Sequence, residues 1–149
     1  MVTNGKLLVR DKRGMIDTLS IEQLKSKYDT YQVLTMNRHG HETYSFSLIE
    51  NLREVTADEK YLYKITTINH MDIERCVICS DKTQLFTTST RWIGYVNPDK
   101  LRKNSILIDE EDRPNRILSI EKIPYEDQPL YDISVMFTGN FFCNGLLLR

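Results

Sequence analysis

Cys76 and Cys79 form a Cys-x-x-Cys pair, which is the spacing that zinc and redox sites use. The surrounding run, ERCVICS, is typical of a β-strand, in which residues three apart point to opposite faces of the sheet. The only other cysteine is Cys143, so no second pair completes a set of four ligands. Two packed thiols are the favoured interpretation, and no metal is expected.

The three histidines lie in predicted turns. His39 and His41 flank Gly40, and His70 follows Asn69 in INHMD. A pair two residues apart could bind a metal, but solvated turn histidines are the favoured interpretation. The sequence contains no glycine-rich phosphate loop, nucleophile elbow or paired-carboxylate motif, so no cofactor is expected.

Composition excludes several classes of partner. The 20 basic and 21 acidic residues give a net charge of −1, which offers no reason to expect nucleic acid or a membrane surface. No apolar run approaches the roughly 18 residues needed to span a bilayer, and no N-terminal stretch resembles a signal peptide. Three cysteines, an odd number, argue against a disulfide scaffold. We expect a cytoplasmic monomer with a single domain over residues 1–149.

Short β-branched or aromatic runs dominate the chain, and turn residues separate them. The runs are KLLV, YQVLTM, TYSFSLI, YLYKITTI, RCVIC, QLFTT, RWIGYV, SILI, RILSIEKI, LYDISVMF, FFC and LLLR. Many short strands at close spacing predict an all-β domain of sandwich or barrel type.

Local signals add two short helices and a C-terminal hairpin. SIEQLKSK begins with Ser20 and Gln23 at capping-box spacing, and NPDKLRKN places Pro98 at a first helical position. Asn144-Gly145 separates FFC from LLLR and predicts a type I′ turn. The polar segment 109–116, DEEDRPNR, predicts an exposed loop and is where a split or an insertion would lie.

Three segments resemble the conserved motifs of inteins, which are self-splicing domains of the Hint superfamily. LYDISVMFTGNFFCNGLLLR resembles the closing motifs, a "YD-hydrophobic-x-V" strand followed by "HNFxxNG" and an apolar strand. NGKLLVRDKRGMIDTLSIEQL resembles the opening motif, and CSDKTQLFTTSTRWIGYVNPDKL resembles the middle motif, "T-x-x-H". The resemblance spans almost the whole chain in the right order, with the length of a mini-intein that has no homing endonuclease.

The resemblance implies a Hint fold, a flattened horseshoe of strands with pseudo-twofold halves. It also implies autocatalytic splicing: an N-terminal Ser or Cys attacks the preceding carbonyl, a downstream nucleophile takes the acyl group, and a final Asn cyclises. The implied partners are the flanking segments of a host protein, called exteins, or a complementary split-intein fragment. Both junctions would have to meet in one water-poor site, since proximity supplies much of the acceleration.

The motifs place site residues at numbered positions. Met1 falls at the nucleophile, Ser80 at the middle-motif threonine and Thr83 at its histidine. Asp132 matches the "YD" aspartate, whose role is to activate the nucleophile. The alternatives without a catalytic role are ordinary strand hydroxyls for Ser80 and Thr83 and a surface acid for Asp132.

The closing motifs also depart from the family pattern. Gly139 stands at the histidine of "HNF", next to Asn140, and Arg149 stands at the penultimate histidine. Arg149 is permanently charged, so it could stabilise an oxyanion but could not shuttle protons; a solvated residue is the alternative. Cys143 could be a nucleophile or a redox brake, and a small buried filler is the favoured interpretation.

With Met1 and without a final Asn, the sequence as written is not expected to splice. The hypothesis is that it was altered or trimmed from a working intein. The alternatives are a Hint domain that only cleaves and a degenerate Hint fold that serves as an inert binding module.

Overall fold

A computed structural model describes residues 1–39, 41–56, 58–88 and 93–149, with the backbone alone for 38, 39 and 41–43. Strands make up most of it. They are β1 (Lys6–Asp11), β2 (Ile16–Ser20), β3 (Tyr31–His39), β4 (His41–Val55), β5 (Tyr61–Ile68), β6 (Glu74–Cys79), β7 (Leu85–Thr88), β8 (Ile93–Val96), β9 (Ile106–Ile108), β10 (Pro114–Pro124), β11 (Leu130–Val135), β12 (Phe141–Cys143) and β13 (Leu146–Leu148). The predicted all-β class is confirmed.

The strands form two sheets. The first has the order β11-β4-β3-β1-β2, and the second has the order β12-β13-β7-β9-β10-β5-β6, with β8 paired to β7. Every ladder between these strands is antiparallel. Strands β11 and β6 therefore each end the strand order of one sheet.

One predicted helix forms as an α-helix and the other as a single turn. Helix α1 (Ile21–Leu24) begins with the predicted capping box: Gln23 N–H donates to Ser20 Oγ at 3.1 Å, and Ser20 N–H donates to Gln23 Oε1 at 2.9 Å. A 3-10 turn covers Tyr28–Thr30. The second predicted helix is a 3-10 turn over Pro98–Lys100, because Asn97 makes no side-chain cap and Leu101 is extended.

The C-terminal hairpin has the predicted turn. Asn144 and Gly145 both have positive φ, 51° and 84°, as a type I′ turn requires. Glycine is needed at the second position for a further reason, since a Cβ there would lie 2.5 Å from Nε of Arg75. The turn is also bound to β1, because Asn144 N–H donates to the Lys6 carbonyl and Lys6 N–H donates to Asn144 Oδ1, each at 2.8 Å.

This hairpin lies between two parts of the hydrophobic core. All three residues of β12 and all three of β13 are buried. Phe142 and Leu147 face a smaller apolar cluster, whereas Phe141 and Cys143 face the larger one. Cys143 therefore faces away from the Phe142 ring, as alternation along a strand requires.

The predicted exposed loop at 109–116 is wrong at two positions, Asp109 and Asn115. Glu111 and Asp112 are exposed, but Asp109 and Asn115 are fully buried. Asp109 accepts N–H bonds from Glu111 and Arg113, its Oδ2 accepts from Asn115 Nδ2 at 3.1 Å, and the same oxygen lies 3.4 Å from Nη1 of Arg75. The segment is a tight β9–β10 turn whose polar ends are buried because these partners satisfy them.

Strand β2 was not predicted, because it is not among the strand-forming runs of the sequence. Its sequence, IDTLS, is short and polar, and its residues are exposed or only partly buried. It forms because it pairs with β1 over five residues, Lys6↔Ser20 to Arg10↔Ile16.

None of the helices in the described part of the chain is both long and apolar enough to cross a membrane.

Candidate functional site

The N-terminal residues lie where the two sheets meet. Val2 exchanges two backbone hydrogen bonds with Tyr131 of β11, at 3.0 and 2.8 Å, and Thr3 N–H donates to the Ile78 carbonyl of β6 at 3.0 Å. The segment therefore joins the end strand of one sheet to the end strand of the other. Because Val2 is also buried, Met1 is held in a fixed position.

Two hydroxyl residues after β6 surround Met1. The turn that follows Cys79 closes through Thr83 N–H, which donates to the Ser80 carbonyl at 3.2 Å. Ser80 N–H and the Thr83 hydroxyl both donate to the Met1 carbonyl, at 2.9 and 2.7 Å. The Met1 ammonium donates to Thr83 Oγ1 at 2.9 Å, and Ser80 Oγ lies 3.4 Å from the same oxygen. Sequence reasoning predicted both residues, and the structure brings them to Met1.

Burial and charge act on the Met1 amine in opposite directions. Burial lowers the pKa of the ammonium from its ordinary value, and the negative charge of Asp132 opposes that shift. The Asp132 side chain is 47% exposed, and its Oδ2 lies 3.5 Å from Nη2 of Arg53. An exposed ion pair of this kind contributes little to stability. Asp132 also lines the same cavity as Met1.

Arg149 is exposed, and it contacts Gln84, which precedes β7, and Tyr95 of β8. Its N–H donates to the Gln84 carbonyl at 2.8 Å, and Gln84 N–H donates to the Arg149 carbonyl at 2.9 Å. Its Nε also donates to Gln84 Oε1 at 3.0 Å, and the guanidinium carbon lies 3.9 Å from the centre of the Tyr95 ring. Arg149 is exposed, as the solvated alternative expects, but these contacts hold its side chain in one place.

Gly139 and Asn140 play structural parts in this arrangement. Gly139 has φ +68°, which disfavours a side chain, and a Cβ there would lie 3.9 Å from Cδ of Arg149. Asn140 is buried: its Oδ1 accepts from Met36 N–H at 2.9 Å, and its Nδ2 donates to the Met36 carbonyl at 2.7 Å and to Tyr95 Oη at 2.9 Å. Its amide thus extends the edge of β3, as a backbone group would.

Four of the seven predicted site residues line one cavity of about 360 Å³, and Ser80, Gly139 and Asn140 do not. Met1, Thr83, Asp132 and Arg149 all line it, together with Val2, Lys82, Tyr131, Ile133 and Phe141. Ser80 lies behind Thr83, whereas the Asn140 amide points to β3. A larger cleft, about 580 Å³, runs along Arg10–Gly14 and contains none of the predicted site residues.

Cys79 and Cys143 are thiols within the core rather than reactive groups. Burial raises the pKa of Cys143 to about 12, and the nearby Cys79 adds to that shift. Burial also raises the pKa of Cys79 to about 12, against the opposing effects of the Met1 ammonium and a hydrogen bond with Thr83. These values favour the filler interpretation of Cys143, since a thiol that stays protonated is a poor nucleophile.

The structure assembles no metal ligands from the side chains it describes. Those residues contain no group of three or more His, Cys, Asp or Glu that could hold an ion. On β6, Cys79 faces the core while the partly buried Cys76 lies on the other face, as the strand alternation predicted. His70 is exposed in its turn, and the side chains of His39 and His41 lie outside the described residues.

Sequence reasoning missed Gln84, Tyr95 and Arg53 at this site. Gln84 follows Thr83 directly, but its part depends on pairing with a residue 65 positions away. Tyr95 belongs to the strand-forming run RWIGYV, which gives no sign of a contact with Arg149. No local pattern could have identified these contacts, because each joins segments that are distant in sequence.

Comparison with solved structures identifies the fold. The chain aligns over 99% of its length with a DnaB intein from Synechocystis sp. PCC 6803 (TM-score 0.73, 17% identity, 96% of that chain). It aligns equally far with the transcription factor IIB Mvu mini-intein (TM-score 0.74, 14% identity, 98% of that chain) and with the TvoVMA intein (TM-score 0.73, 20% identity, 96% of that chain).

Sequence comparison adds nothing at this distance, since no family model matches the chain and no curated protein sequence does. The structural match runs along almost the entire chain, and it covers nearly all of each solved intein. The chain therefore has the Hint fold of the inteins, built with little sequence identity.

Proposed function

We propose that the chain is an intein, a domain that excises itself from a host protein and joins the segments that flank it. The observation that carries the proposal is the shared cavity: Met1 and Arg149, which stand at the two junctions, line it together with Thr83 and Asp132. The fold brings these four residues together from distant parts of the chain. The Hint fold supports the same conclusion, because solved inteins have it.

The N-terminal step would take place at the bond that precedes residue 1. With Ser or Cys in place of Met1, the side-chain oxygen or sulfur attacks the preceding carbonyl carbon. The C–N bond then breaks, and the nitrogen of residue 1 gains a proton as an ester or thioester forms. Thr83 lies at that nitrogen, at 2.9 Å, and the Met1 carbonyl is held by Ser80 and Thr83.

The roles of Thr83 and Asp132 differ in this step. A threonine hydroxyl can hold the nitrogen in place but cannot carry a proton near neutral pH by itself. The Asp132 carboxylate is the proton acceptor on the cavity wall and suits the removal of the nucleophile's proton.

The later steps would take place at Arg149. A nucleophile at the start of the downstream segment takes the acyl group, and an Asn placed after Arg149 then cyclises and releases the domain. Arg149 contributes a permanent positive charge and N–H donors beside the reacting carbonyl, which suits stabilisation of the oxyanion. The exteins, or a complementary fragment if the parent is split, would be the only partners of this chemistry.

An inert module with the Hint fold is the second candidate. It is favoured by the residues at three positions where the family carries chemistry: Met1 in place of a nucleophile, and Thr83 and Gly139 in place of histidines. A domain that only cleaves is the third, and it would need no downstream nucleophile.

A splicing assay distinguishes these candidates. The Met1→Cys chain, extended by Asn-Cys after Arg149, is placed between two reporter domains and its products are weighed by mass spectrometry. The expected product is the joined pair of reporters plus the free domain. Cleavage without joining would indicate an autoprocessing domain, and intact precursor in a folded protein would indicate an inert module.

A further inference from the structure

Arg149 is held in three ways, by Gln84, which precedes β7, and by Tyr95 of β8, more than strand pairing alone requires. Its backbone exchanges both hydrogen bonds with Gln84, and its Nε donates to Gln84 Oε1 at 3.0 Å. The guanidinium lies over the Tyr95 ring, with 3.9 Å from its carbon to the ring centre. At this distance the ring face attracts the cation and also fixes the plane of its N–H donors.

Tyr95 is itself fixed from two sides. Its ring packs edge-on against Phe86 with 5.3 Å between ring centres, and the two residues are direct partners in the β7–β8 ladder. Its hydroxyl accepts from Asn140 Nδ2 at 2.9 Å, and the Asn140 amide is clamped to both backbone groups of Met36. A chain of contacts therefore runs from β3 through Asn140 and Tyr95 to Arg149.

We propose that Tyr95 is a positioning residue for Arg149 at the C-terminal junction, a role that rests on the proposed function. Tyr95 holds the plane of the guanidinium, and Arg149 lines a cavity together with Met1 and Thr83. Phe86 fixes the ring from its edge, and the hydrogen bond from the buried Asn140 amide to the Tyr95 hydroxyl adds to this. Asn140 thereby connects the "NF" motif to the junction without contacting the reacting bond.

The reaction that this geometry serves is cyclisation of an Asn placed after Arg149. The side-chain nitrogen forms a bond to the backbone carbonyl carbon of the same residue, and the C–N bond to the next residue breaks. The proton lost by the attacking nitrogen is taken up by the leaving nitrogen. Arg149 supplies no proton and stabilises the charge that builds on the carbonyl oxygen.

The positional claim is tested on the chain as it stands. In NMR spectra, the side-chain Hδ and Hε signals of Arg149 are expected upfield of their ordinary positions, because they lie over the Tyr95 ring. Tyr95→Phe keeps the ring and should keep the shift, whereas Tyr95→Leu should abolish it. Ordinary Arg149 shifts in the unsubstituted protein would overturn the proposal.

The kinetic claim is tested on the chain with Met1 unchanged and with Asn and a reporter domain after Arg149, so that only C-terminal cleavage is measured. Tyr95→Leu should slow cleavage about two- to thirtyfold, the range of a single cation–π contact. Tyr95→Phe should retain most of the rate. When Arg149→Gln is already present, Tyr95→Leu should have little further effect, because Tyr95 acts through that guanidinium.

Tyr61→Leu is the matched control, since Tyr61 is exposed on β5 and lies outside the cavity of the site. Equal cleavage rates in the parent and in Tyr95→Leu would contradict the role of Tyr95 alone. No cleavage in the folded parent would instead contradict the proposed function, and the reaction role of Tyr95 with it.

Discussion

At the scale of single residues, the chain combines a family-like aspartate with unusual neighbours. Asp132 has the cavity on one side and the exposed Arg53 on the other. Thr83 makes two short hydrogen bonds to Met1 where a histidine would be expected. In the proposed mechanism, proton removal therefore falls to Asp132, and Thr83 orients the nitrogen of residue 1.

In a Met1→Cys chain with an upstream reporter, Asp132→Ala should slow formation of the thioester by about 100-fold, within the range for general-base catalysis. Asp132→Asn should be slowed similarly, because the amide keeps the shape but accepts no proton. Arg53→Ala, which removes only the exposed ion-pair partner, is the control. An unchanged thioester rate in Asp132→Ala, followed by quenched mass spectrometry, would exclude the carboxylate from this step.

The thiols give a second prediction at this scale. The pKa values of Cys79 and Cys143 are both raised to about 12. Stability from the protonated thiols is therefore present below the unfolded value, about 8.5, and is lost as the pH rises from there towards 12. Iodoacetamide at pH 8 should modify Cys76 alone in the native protein and all three cysteines in denaturant. Rapid native labelling of Cys143 would contradict its role as a core filler.

At the scale of elements, the C-terminal hairpin is held by its neighbours rather than by its own length. Strands β12 and β13 have three residues each, too few to be stable alone. The turn is bound to Lys6, and the strand before it is bound to Met36 through Asn140. The position of the hairpin therefore depends on the buried Asn140 amide as well as on apolar packing.

Asn140→Ala should lower the free energy of unfolding by about 2 kcal/mol or more, because it leaves a buried N–H and a buried C=O of Met36 without partners. Denaturant unfolding measures the change. The matched control is Asn51→Ala, since Asn51 is exposed on β4 and its side chain has no comparable burial. Similar losses in both variants would mean that the Asn140 bridge to β3 contributes nothing specific.

Leu147→Ala tests the apolar part of the same hairpin. Leu147 is 1% exposed and faces the smaller cluster with Phe142, so its truncation should cost about 2–5 kcal/mol. Leu48→Ala, at a residue that is 46% exposed, should cost far less. A small loss at Leu147 would mean that the core closes around the gap.

The local elements could be predicted from the sequence, but the contacts between them could not. The Ser20–Gln23 capping box, the Asn144-Gly145 turn and the opposite faces of Cys76 and Cys79 each follow from residues a few positions apart. Burial of Asp109 and the pairing of β2 depend instead on partners that no local pattern reveals, such as Arg75 and β1. The same limit explains why Tyr95 and Gln84 were missed.

At the scale of the whole molecule, two sheets and both ends of the described chain meet at one cavity. Met1 lies between β6 and β11, and Arg149 continues β13 beside Gln84. Solved inteins share this architecture with 14–20% identity in the examples compared above. The arrangement holds both ends of the described chain in place, and the proposed splicing depends on that constraint.

The proposed function is tested most directly by asking whether the peptide bond before residue 1 rearranges in this site. A Met1→Cys chain with an upstream reporter and no downstream segment is treated with a small thiol, and the products are weighed. The expected result is release of the reporter as its thioester, at least tenfold slower in Thr83→Ala. Intact precursor, from a chain that NMR shows to be folded, would contradict the proposed function.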